Sequence, residues 1–339
     1  KGSVTLANTY AACLEQAGAR IFWATCALRC KLVFGADMSN AFAEAPPPKA
    51  PLYLKVDTAY KNWWKHKTGE NLEGDYYVKV HHAIQGHPES PRLWQLHIDS
   101  ILKDIGFIAT THEPCIYRLP KHILGEEIFL LRQVDDFALG CDSEDVAEQV
   151  WKMIDAKMSA PFKREGLLQR FNGIDVEQSR EYIKIHCSTY ISKILKSKPF
   201  DLTTTQNKPT PMHSSPDFIR QLDSTIGPES EKERHELERK MGFKYRAATG
   251  KLLFALVTCR PDISNSVIKL TQFNANPAEC HYAAVIQVYR YLYATRNDGL
   301  TYWRRQIRPD LKNGTIPVTQ PEEYHFQTQA EHDAAEQAY

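Results

Sequence analysis

Two adjacent carboxylates, Asp135 and Asp136, interrupt an otherwise apolar run between residues 128 and 140. The flanking segments have the composition of β-strands, so the pattern predicts a hairpin with both carboxylates at its tip. Neighbouring carboxylates repel each other, and apolar surroundings make two charges costly unless a cation or strong hydrogen-bond donors compensate. A divalent metal ion would compensate. The alternative is a solvent-exposed turn, because Asp is common in turns.

A third carboxylate, Asp37, ends a predicted strand at residues 33–37. An antiparallel sheet can bring a strand end next to a hairpin tip that is distant in sequence. Asp37, Asp135 and Asp136 therefore predict a site for two Mg²⁺ ions, which in such sites lie roughly 4 Å apart. Ligands that are all oxygen atoms favour Mg²⁺ over zinc.

The composition is that of a globular chain. Of its 339 residues, 42% are hydrophobic and 11% aromatic, which is enough to bury a core and to form two or three subdomains. No apolar run approaches the roughly 20 residues that cross a bilayer, and the first residues lack a signal-peptide pattern. Eight scattered cysteines without a C-x-x-C pair favour reduced thiols. We therefore expect an intracellular protein that neither enters a membrane nor is secreted.

The net charge is only +1, but basic residues are unevenly distributed. Residues 180–210 and residues 286–312 each contain six basic and two acidic side chains. Such stretches are candidates for contact with a phosphate backbone, and the alternative is a solvated surface.

Apolar periodicity and helix-breaking residues predict the other elements. Residues 6–32 are predicted to form one helix or two short ones, and further helices are predicted at 92–107, 144–154 behind an Asp142 or Ser143 cap, 190–195, 244–258, 262–273 and 278–294. Further strands are predicted at 171–177 and 182–186. Two polar stretches, 60–75 and 199–234, are predicted to be a loop and a long linker.

Several motifs occur in an order that resembles one known family. They are 37–42, 85–94, 134–136, 171–176, 249–254 and 258–263, followed by His281, 290–292 and 299–302. The first motif is an Asp followed five residues later by an aromatic, the second a Gly loop leading through Pro-Arg-x-Trp into a helix, and the third the Asp pair. Together they resemble the reverse transcriptase of Ty1/copia-type retrotransposons, the RNA-dependent DNA polymerase region of a Pol polyprotein.

The resemblance implies a role for each motif. Asp37, Asp135 and Asp136 are the implied catalytic residues and metal ligands, holding two Mg²⁺ ions for which Mn²⁺ is a substitute. Nucleotide-binding residues are implied at Phe42, Gln85 and Gly86, and a primer grip at Phe171 and Gly173. Phe42 would lie under the incoming sugar and exclude a 2′-hydroxyl, and the alternative for this residue is ordinary core packing. Arg92 and Trp94 are expected to anchor their helix.

The resemblance also implies an α/β polymerase fold. Residues 1–187 would form a palm, an antiparallel sheet backed by helices, with a partial fingers insertion at about 43–80. Residues 188–305 would form a helical thumb or connection region, and residues 306–339 a tail or linker towards an RNase H domain. The implied partners are an RNA or DNA template, a primer strand and dNTPs, in a cytoplasmic particle or the nucleus.

The chain departs from the family pattern at several points. Gln133 stands where Tyr is usual, and Asn172 where Leu is usual. The basic fingers segment that the family has upstream, and the integrase and RNase H portions, are not recognisable, so we expect a fragment of a polyprotein. The alternative functions are a catalytically inactive nucleic-acid-binding remnant and, from another class of two-metal enzyme, a nuclease.

Overall fold

The computed structural model describes residues 9–196 and 209–314, in which antiparallel sheets are backed by helices. The strands are β1 (Leu32–Asp37), β2 (Tyr53–Lys55), β3 (Tyr77–Lys79), β4 (Ile108–Ala109), β5 (Ile116–Leu119), β6 (Ile128–Gln133), β7 (Asp136–Cys141), β8 (Lys163–Leu167), β9 (Arg170–Phe171), β10 (Ile174–Gln178), β11 (Tyr182–His186) and β12 (Gly299–Trp303). The helices are α1 (Gln16–Leu28), α2 (Ala41–Glu44), α3 (Thr58–Thr68), α4 (Ser90–Asp104), α5 (Lys121–Leu124), α6 (Glu144–Asp155), α7 (Ser188–Lys196), α8 (Pro216–Ser224), α9 (Glu231–Met241), α10 (Tyr245–Thr258), α11 (Ser264–Thr271) and α12 (Glu279–Ala294). The predicted α/β class is confirmed.

Six strands form the main sheet in the order β4-β5-β6-β7-β1-β8, and all neighbours are antiparallel. Successive residues of β1 point to opposite faces. Val33 packs in one apolar cluster with Trp23 of α1, whereas Phe34 and Ala36 pack in another with Trp94 of α4. Because both faces are covered, β1 is apolar until its last residue.

A second sheet, in the order β12-β11-β10-β9, is joined to β1 by one amide side chain. Gln178 of β10 accepts a hydrogen bond from the N–H of Val33 at 2.9 Å and donates one to the carbonyl of Val33 at 2.8 Å. It also donates to the carbonyl of Leu168 at 3.1 Å. These contacts satisfy buried backbone groups of β1 as another strand would, and they fix the second sheet against the first.

The helix pattern is confirmed where apolar periodicity is strong. Ser143 caps α6, its hydroxyl accepting a hydrogen bond from the N–H of Val146. α4, α7 and the three helices α10 to α12 match their predictions within a few residues. Of the helices that the structure describes, none combines the length and the apolar composition needed to cross a bilayer.

The predicted loop at 60–75 was wrong in its first half, because residues 58–68 form the helix α3. Asp57 caps it by accepting a hydrogen bond from the N–H of Tyr60 at 2.8 Å, and Gly69 ends it with a φ of 80°. None of its residues is buried. Tyr60, Trp63 and Trp64 do recur at helical spacing, but they lie among charged and polar residues in a helix that faces solvent rather than the core.

The predicted linker at 199–234 was also wrong in part. Residues 197–208 lie outside the described residues, but α8 and the first residues of α9 fall within the stretch. Ser215 and Ser230 cap these two helices, and Ser230 forms a capping box with Glu233. The prolines of this region break regular structure only locally, because Ser215 begins a helix at Pro216 and Ser230 begins one shortly after Pro228.

Asp262 lies just before α11, and its carboxylate is held by other side chains. The carboxylate of Asp262 receives two hydrogen bonds from the buried guanidinium of Arg260, at 2.9 and 2.6 Å, and one from the hydroxyl of Tyr291 at 2.9 Å. Burial acts to raise the pKa of Asp262, but the hydrogen bonds and charge of Arg260 outweigh it and hold the pKa below its usual value. The Asp ties the end of α10 to α12.

The predicted strand at 171–177 is interrupted. Asn172 and Gly173 form a turn between β9 and β10, with Phe171 paired to Ile174.

Residues 306–314 belong to the predicted tail. Arg308 nevertheless donates to the carbonyls of Cys30 and Asp142, at 2.8 and 2.9 Å. Residues 315–339 lie outside the described residues, and there the tail stays a prediction.

Candidate active site

Asp37 and Asp136 are directly opposite each other on β1 and β7. Asp37 is the last residue of β1 and Asp136 the first of β7, so both lie at the same end of two central strands. The N–H of Met38 donates to the carbonyl of Asp135 at 3.0 Å, which extends this pairing to the turn. The sheet register thus brings the three sequence-predicted aspartates to one edge, although Asp37 is almost a hundred residues from the other two.

Val134 and Asp135 form the two-residue turn between β6 and β7. Val134 has a φ of 55°, which is unusual for a β-branched residue and costs about 1–3 kcal/mol. Its carbonyl accepts a 2.7 Å hydrogen bond from the indole Nε1–H of Trp94, a buried residue of α4. The expectation that Trp94 has an anchoring role is confirmed, and what it anchors is the aspartate turn as well as its own helix.

A second turn lies against the first. The N–H of Asn172 donates to Oδ2 of Asp136 at 3.3 Å. Asn172 and Gly173 have φ values of 46° and 77°, the pair of positive angles that an Asn-Gly hairpin turn adopts. This geometry explains the departure at Asn172, because Asn tolerates a left-handed conformation better than Leu does.

The electrostatics of the site disfavour three negative charges. Partial burial and the charges of Asp135, Asp37 and Glu165 raise the pKa of Asp136, although the N–H of Asn172 acts to lower it. Glu165 lies at a β-bulge in β8, where the pairing with β1 shifts register between Gly35 and Ala36. Glu165 is a site residue that was not predicted, although the isolated Gly166 beside it, with a φ of 67°, is the kind of residue that marks a bulge in a strand.

The donor atoms at this edge fit a hard divalent cation, because all are carboxylate oxygens and their repulsion is relieved by positive charge. Within residues 9–196 and 209–314, however, no group of three or more His, Cys, Asp or Glu side chains is gathered closely enough to hold a metal ion. Asp135 is exposed, and Asp37 and Asp136 are half-buried. The three side chains share an edge without forming a finished metal cage.

Phe42, Gln85 and Gly86 lie on neighbouring segments. Phe42 of α2 is half-buried against the apolar cluster that contains Trp94, so core packing accounts for part of its surface. Gln85 and Gly86 are exposed at the centre of a turn, and Gly86 has a φ of 89°, which requires glycine in practice. The N–H of Ala83 donates to the carbonyl of Ala45 at 3.0 Å and ties this loop to the end of α2.

The two residues of the predicted primer grip differ in their surroundings. Phe171 is buried, and its ring makes an edge-to-face contact with Trp23 at 6.0 Å. Gly173 lies in the turn next to Asp136, with open space where a side chain would be. The backbone of this turn, rather than the Phe171 ring, faces the aspartates.

The side chain of Gln133, which stands where Tyr is usual, is hydrogen-bonded to the backbone of the same chain. Its side-chain oxygen accepts a hydrogen bond from the N–H of Leu14 at 2.9 Å. Gln95 likewise accepts from the N–H of Ala12 at 2.8 Å. Residues 12–14 are thus held beside the strand that leads to the aspartate turn.

The two basic stretches meet at one groove. Lys193 and Lys196 of α7 line it together with Arg296, which follows α12. Other members of these stretches are committed elsewhere. Lys184 is buried and paired with Glu177 at 3.3 Å, and Arg304 is buried as well.

Comparison with known proteins agrees with the motif order. A family model described as Reverse transcriptase (RNA-dependent DNA polymerase) matches residues 8–214. The chain is 27% identical over 255 residues to the Retrovirus-related Pol polyprotein from transposon TNT 1-94 of Nicotiana tabacum, covering 74% of this chain and 18% of that protein. It is 27% identical over 267 residues to the Putative transposon Ty5-1 protein of Saccharomyces cerevisiae, covering 78% of each.

A third relative, the Retrovirus-related Pol polyprotein from transposon RE1 of Arabidopsis thaliana, is 26% identical over 227 residues, which are 67% of this chain and 14% of that protein. The chain therefore spans less than a fifth of either plant polyprotein. The family model covers more than half of the chain. The protein accordingly belongs to the reverse transcriptase family, in the branch found in Ty1/copia-type retrotransposons.

Proposed function

We propose that this chain catalyses RNA-directed DNA synthesis, adding dNTPs to a primer along an RNA or DNA template. The observation that carries the proposal is the pairing of Asp37 with Asp136 beside the Asp135 turn, in a chain of the reverse transcriptase family. Phosphoryl transfer depends mainly on positioned charge, which a rigid strand register supplies better than a loop.

Asp37, Asp135 and Asp136 are the proposed catalytic residues and the proposed ligands of two Mg²⁺ ions, which Mn²⁺ can replace. Bound metal supplies activation of the primer hydroxyl and neutralisation of charge on the leaving pyrophosphate. The chain supplies the carboxylates, and the raised pKa of Asp136 supports a site that is completed by a cation. No protein side chain is assigned as a general base.

Phe42 is the proposed contact to the incoming sugar, and Gln85 and Gly86 the proposed contacts to nucleotide and template. The link between Ala83 and Ala45 supports this grouping, because it holds the two segments together. Gly173, with Phe171 behind it, is the proposed primer grip. Its support is the hydrogen bond from the same turn to Asp136.

The wider assignments are proposals of the same kind. Residues 1–187 are assigned to a palm with a partial fingers insertion at 43–80, and residues 188–305 to a thumb or connection region. The groove lined by Lys193, Lys196 and Arg296 is the proposed contact to the duplex backbone. We place the working protein inside the cell, in a particle or the nucleus, as part of a longer polyprotein.

The test is primer extension on poly-rA/oligo-dT with Mg²⁺ and dTTP. We expect the Asp135→Asn/Asp136→Asn variant to lose about three orders of magnitude or more in incorporation rate. Asp217→Asn is the matched control, because it removes one carboxylate that is 89% exposed and far along the chain. An aspartate variant that incorporates dTTP at the wild-type rate would refute the assignment.

A further inference from the structure

Two buried thiols meet where the second sheet adjoins the helices that follow it. Cys187 lies between β11 and α7, and Cys259 directly follows α10. Both are fully buried in the same apolar cluster, and the thiol of Cys187 donates a hydrogen bond to the sulfur of Cys259. The ring of Tyr190 on α7 packs on that of Phe254 on α10, with centroids 4.4 Å apart. The elements that carry the two cysteines are therefore in direct contact.

The residue after each cysteine is bonded to the end of α12. The hydroxyl of Ser188 donates to the carbonyl of Arg296 at 3.0 Å. The guanidinium of Arg260 donates to the carbonyl of Thr295 at 2.8 Å. Because these two carbonyls belong to consecutive residues, they hold the two cysteines side by side independently of the bond between the thiols.

Neither of the usual roles of a buried cysteine accounts for this pair. A metal site needs further ligands, and among the described residues no group of three or more His, Cys, Asp or Glu side chains is placed to hold a metal ion. A buried thiol that only fills space is inert, because its surroundings are apolar and keep it protonated. Here a guanidinium and a second thiol lie against the sulfur of Cys259 instead.

These neighbours divide the pair into two unlike thiols. The hydrogen bond from Cys187 and the charge of Arg260 outweigh burial and lower the pKa of Cys259. The same hydrogen bond, together with burial, raises the pKa of Cys187. Since the thiolate is the nucleophilic form of cysteine, Cys259 is suited to react first and Cys187 to react with the product.

We propose that Cys187 and Cys259 are an oxidative modification site, at which a small peroxide converts the two thiols into a reversible disulfide. All eight cysteines of the chain are free thiols in the structure, so this is the reduced form. Disulfides inside cells are rare, and those that occur are usually transient and responsive to oxidants. The inference goes beyond the proposed function and does not depend on it.

The reaction takes place in two steps. The thiolate of Cys259 attacks one oxygen of hydrogen peroxide, and the O–O bond breaks to give a sulfenic acid and a hydroxide, which takes up the proton that the thiol released. The sulfur of Cys187 then attacks the sulfenic sulfur. The S–S bond forms, the S–O bond breaks, and the leaving hydroxide combines with the Cys187 proton. Two thiols and one peroxide thus give one disulfide and two waters.

The position of the pair restricts the oxidant and sets the effect of oxidation. The groove that Lys193 and Lys196 line is about 420 Å³ in volume and reaches Ser188, so solvent comes within one residue of Cys187. Hydrogen peroxide is little larger than water, whereas glutathione disulfide is too large to reach a buried sulfur. The disulfide would close a long loop between β11 and α10, and such a link stabilises a fold by restricting its unfolded chain.

The test is peptide mapping of the full 339-residue chain after treatment with hydrogen peroxide and blocking of the remaining thiols. We expect the chain to lose two of its eight thiols, and the cross-linked peptide to contain Cys187 and Cys259. We also expect the Tm to rise by at least about 5 °C. Dithiothreitol should reverse both changes. Glutathione disulfide at the same concentration should form less than about a tenth of the cross-link.

Two variants complete the test. Cys259→Ser should form no cross-link to Cys187 and show no rise in Tm with peroxide. Cys280→Ser is the matched control, because Cys280 is a part-exposed cysteine of α12, and this variant should behave like wild type. If Cys259→Ser does not fold, mapping of the wild-type chain still decides.

The inference is overturned if both thiols stay free when peroxide has oxidised the exposed Cys13, or if either forms its cross-link to another cysteine. It is also overturned if the Tm of folded Cys259→Ser rises as in wild type. The measurements use neither nucleotide nor nucleic acid. A chain that forms the cross-link but incorporates no dTTP therefore supports this site and rejects the polymerase assignment, and the converse result does the opposite.

Discussion

Val134 adopts a left-handed backbone conformation one residue before the aspartate pair, and a single indole hydrogen bond holds its carbonyl. A strained turn persists only where its surroundings fix it. Trp94 is well suited to this, because the ring is buried on α4 and cannot move without disturbing the core. The position of Asp135 therefore depends on a residue that need not touch any substrate.

We predict that Trp94→Phe lowers the rate of incorporation by more than its loss of folding stability explains. The change leaves the Val134 carbonyl without its donor and creates a small cavity, together worth about 2–4 kcal/mol of unfolding free energy. Trp151→Phe is the matched control, since Trp151 is equally buried but lies on α6, away from the turn. Urea unfolding and primer extension are measured on both variants. Equal losses of incorporation rate would show that the indole bond has no specific role.

Among the elements, two short turns decide the shape of the site. The β6–β7 turn presents Asp135, and the β9–β10 turn places the N–H of Asn172 on Asp136. Both use positive φ angles, so their sequences are constrained even where side chains point to solvent.

We predict opposite effects for two glycine-to-alanine changes. Gly173→Ala forces a side chain onto a residue with a φ of 77° and should cost about 1–2 kcal/mol of unfolding free energy. Gly250→Ala replaces a glycine inside α10 with open space around it and should add about 0.5–1 kcal/mol. Urea unfolding measures the change in unfolding free energy of each variant, which we expect to be a loss for Gly173→Ala and a gain for Gly250→Ala. A stabilising Gly173→Ala would mean that this turn does not hold its left-handed conformation.

Elements were predictable from sequence where they bury an apolar face. The helices from residue 244 onward, α4 and the aspartate hairpin have such patterns, and the three aspartates follow from motif order. α3 and α9 bury no residue and are mostly charged or polar, so their periodicity is short: Tyr60, Trp63 and Trp64 in α3, and Leu237 and Met241 in α9. The Asn-Gly turn at 172–173 and the bulge beside Gly166 each have a glycine signal in the sequence, whereas the contact from Trp94 to Val134 depends on tertiary packing.

For the whole molecule, the last described strand closes the structure onto its first. Arg304, next to β12, is 6% exposed and donates to the carbonyls of Ser179 and Lys31, at 3.0 and 2.7 Å. Burial and the nearby charge of Arg308 lower the pKa of Arg304 to about 10, so it stays protonated at neutral pH. One buried cation thus connects the start of β1, the β10–β11 connection and the end of β12.

We predict that Arg304→Met lowers the unfolding free energy by about 2–4 kcal/mol, because it leaves two buried carbonyls without a donor. Arg305→Met is the matched control, since Arg305 is the neighbouring residue and exposed, and it should change the value by less than about 0.5 kcal/mol. Thermal and urea unfolding report the difference. Similar values for the two variants would show that the closure by Arg304 is not stabilising.

The central place of β1 has a consequence for how the protein is made. Its two partners, β7 and β8, come much later in the chain, so during synthesis one edge of Leu32–Asp37 stays unpaired until Cys141 has been made and the other until Leu167 has been made. An apolar strand with two open edges is a target for chaperones and for aggregation. Nascent chains that stop before Cys141 would therefore lack an assembled aspartate edge, and those that stop before Leu167 would leave one edge of β1 unpaired, however complete the motifs they already contain.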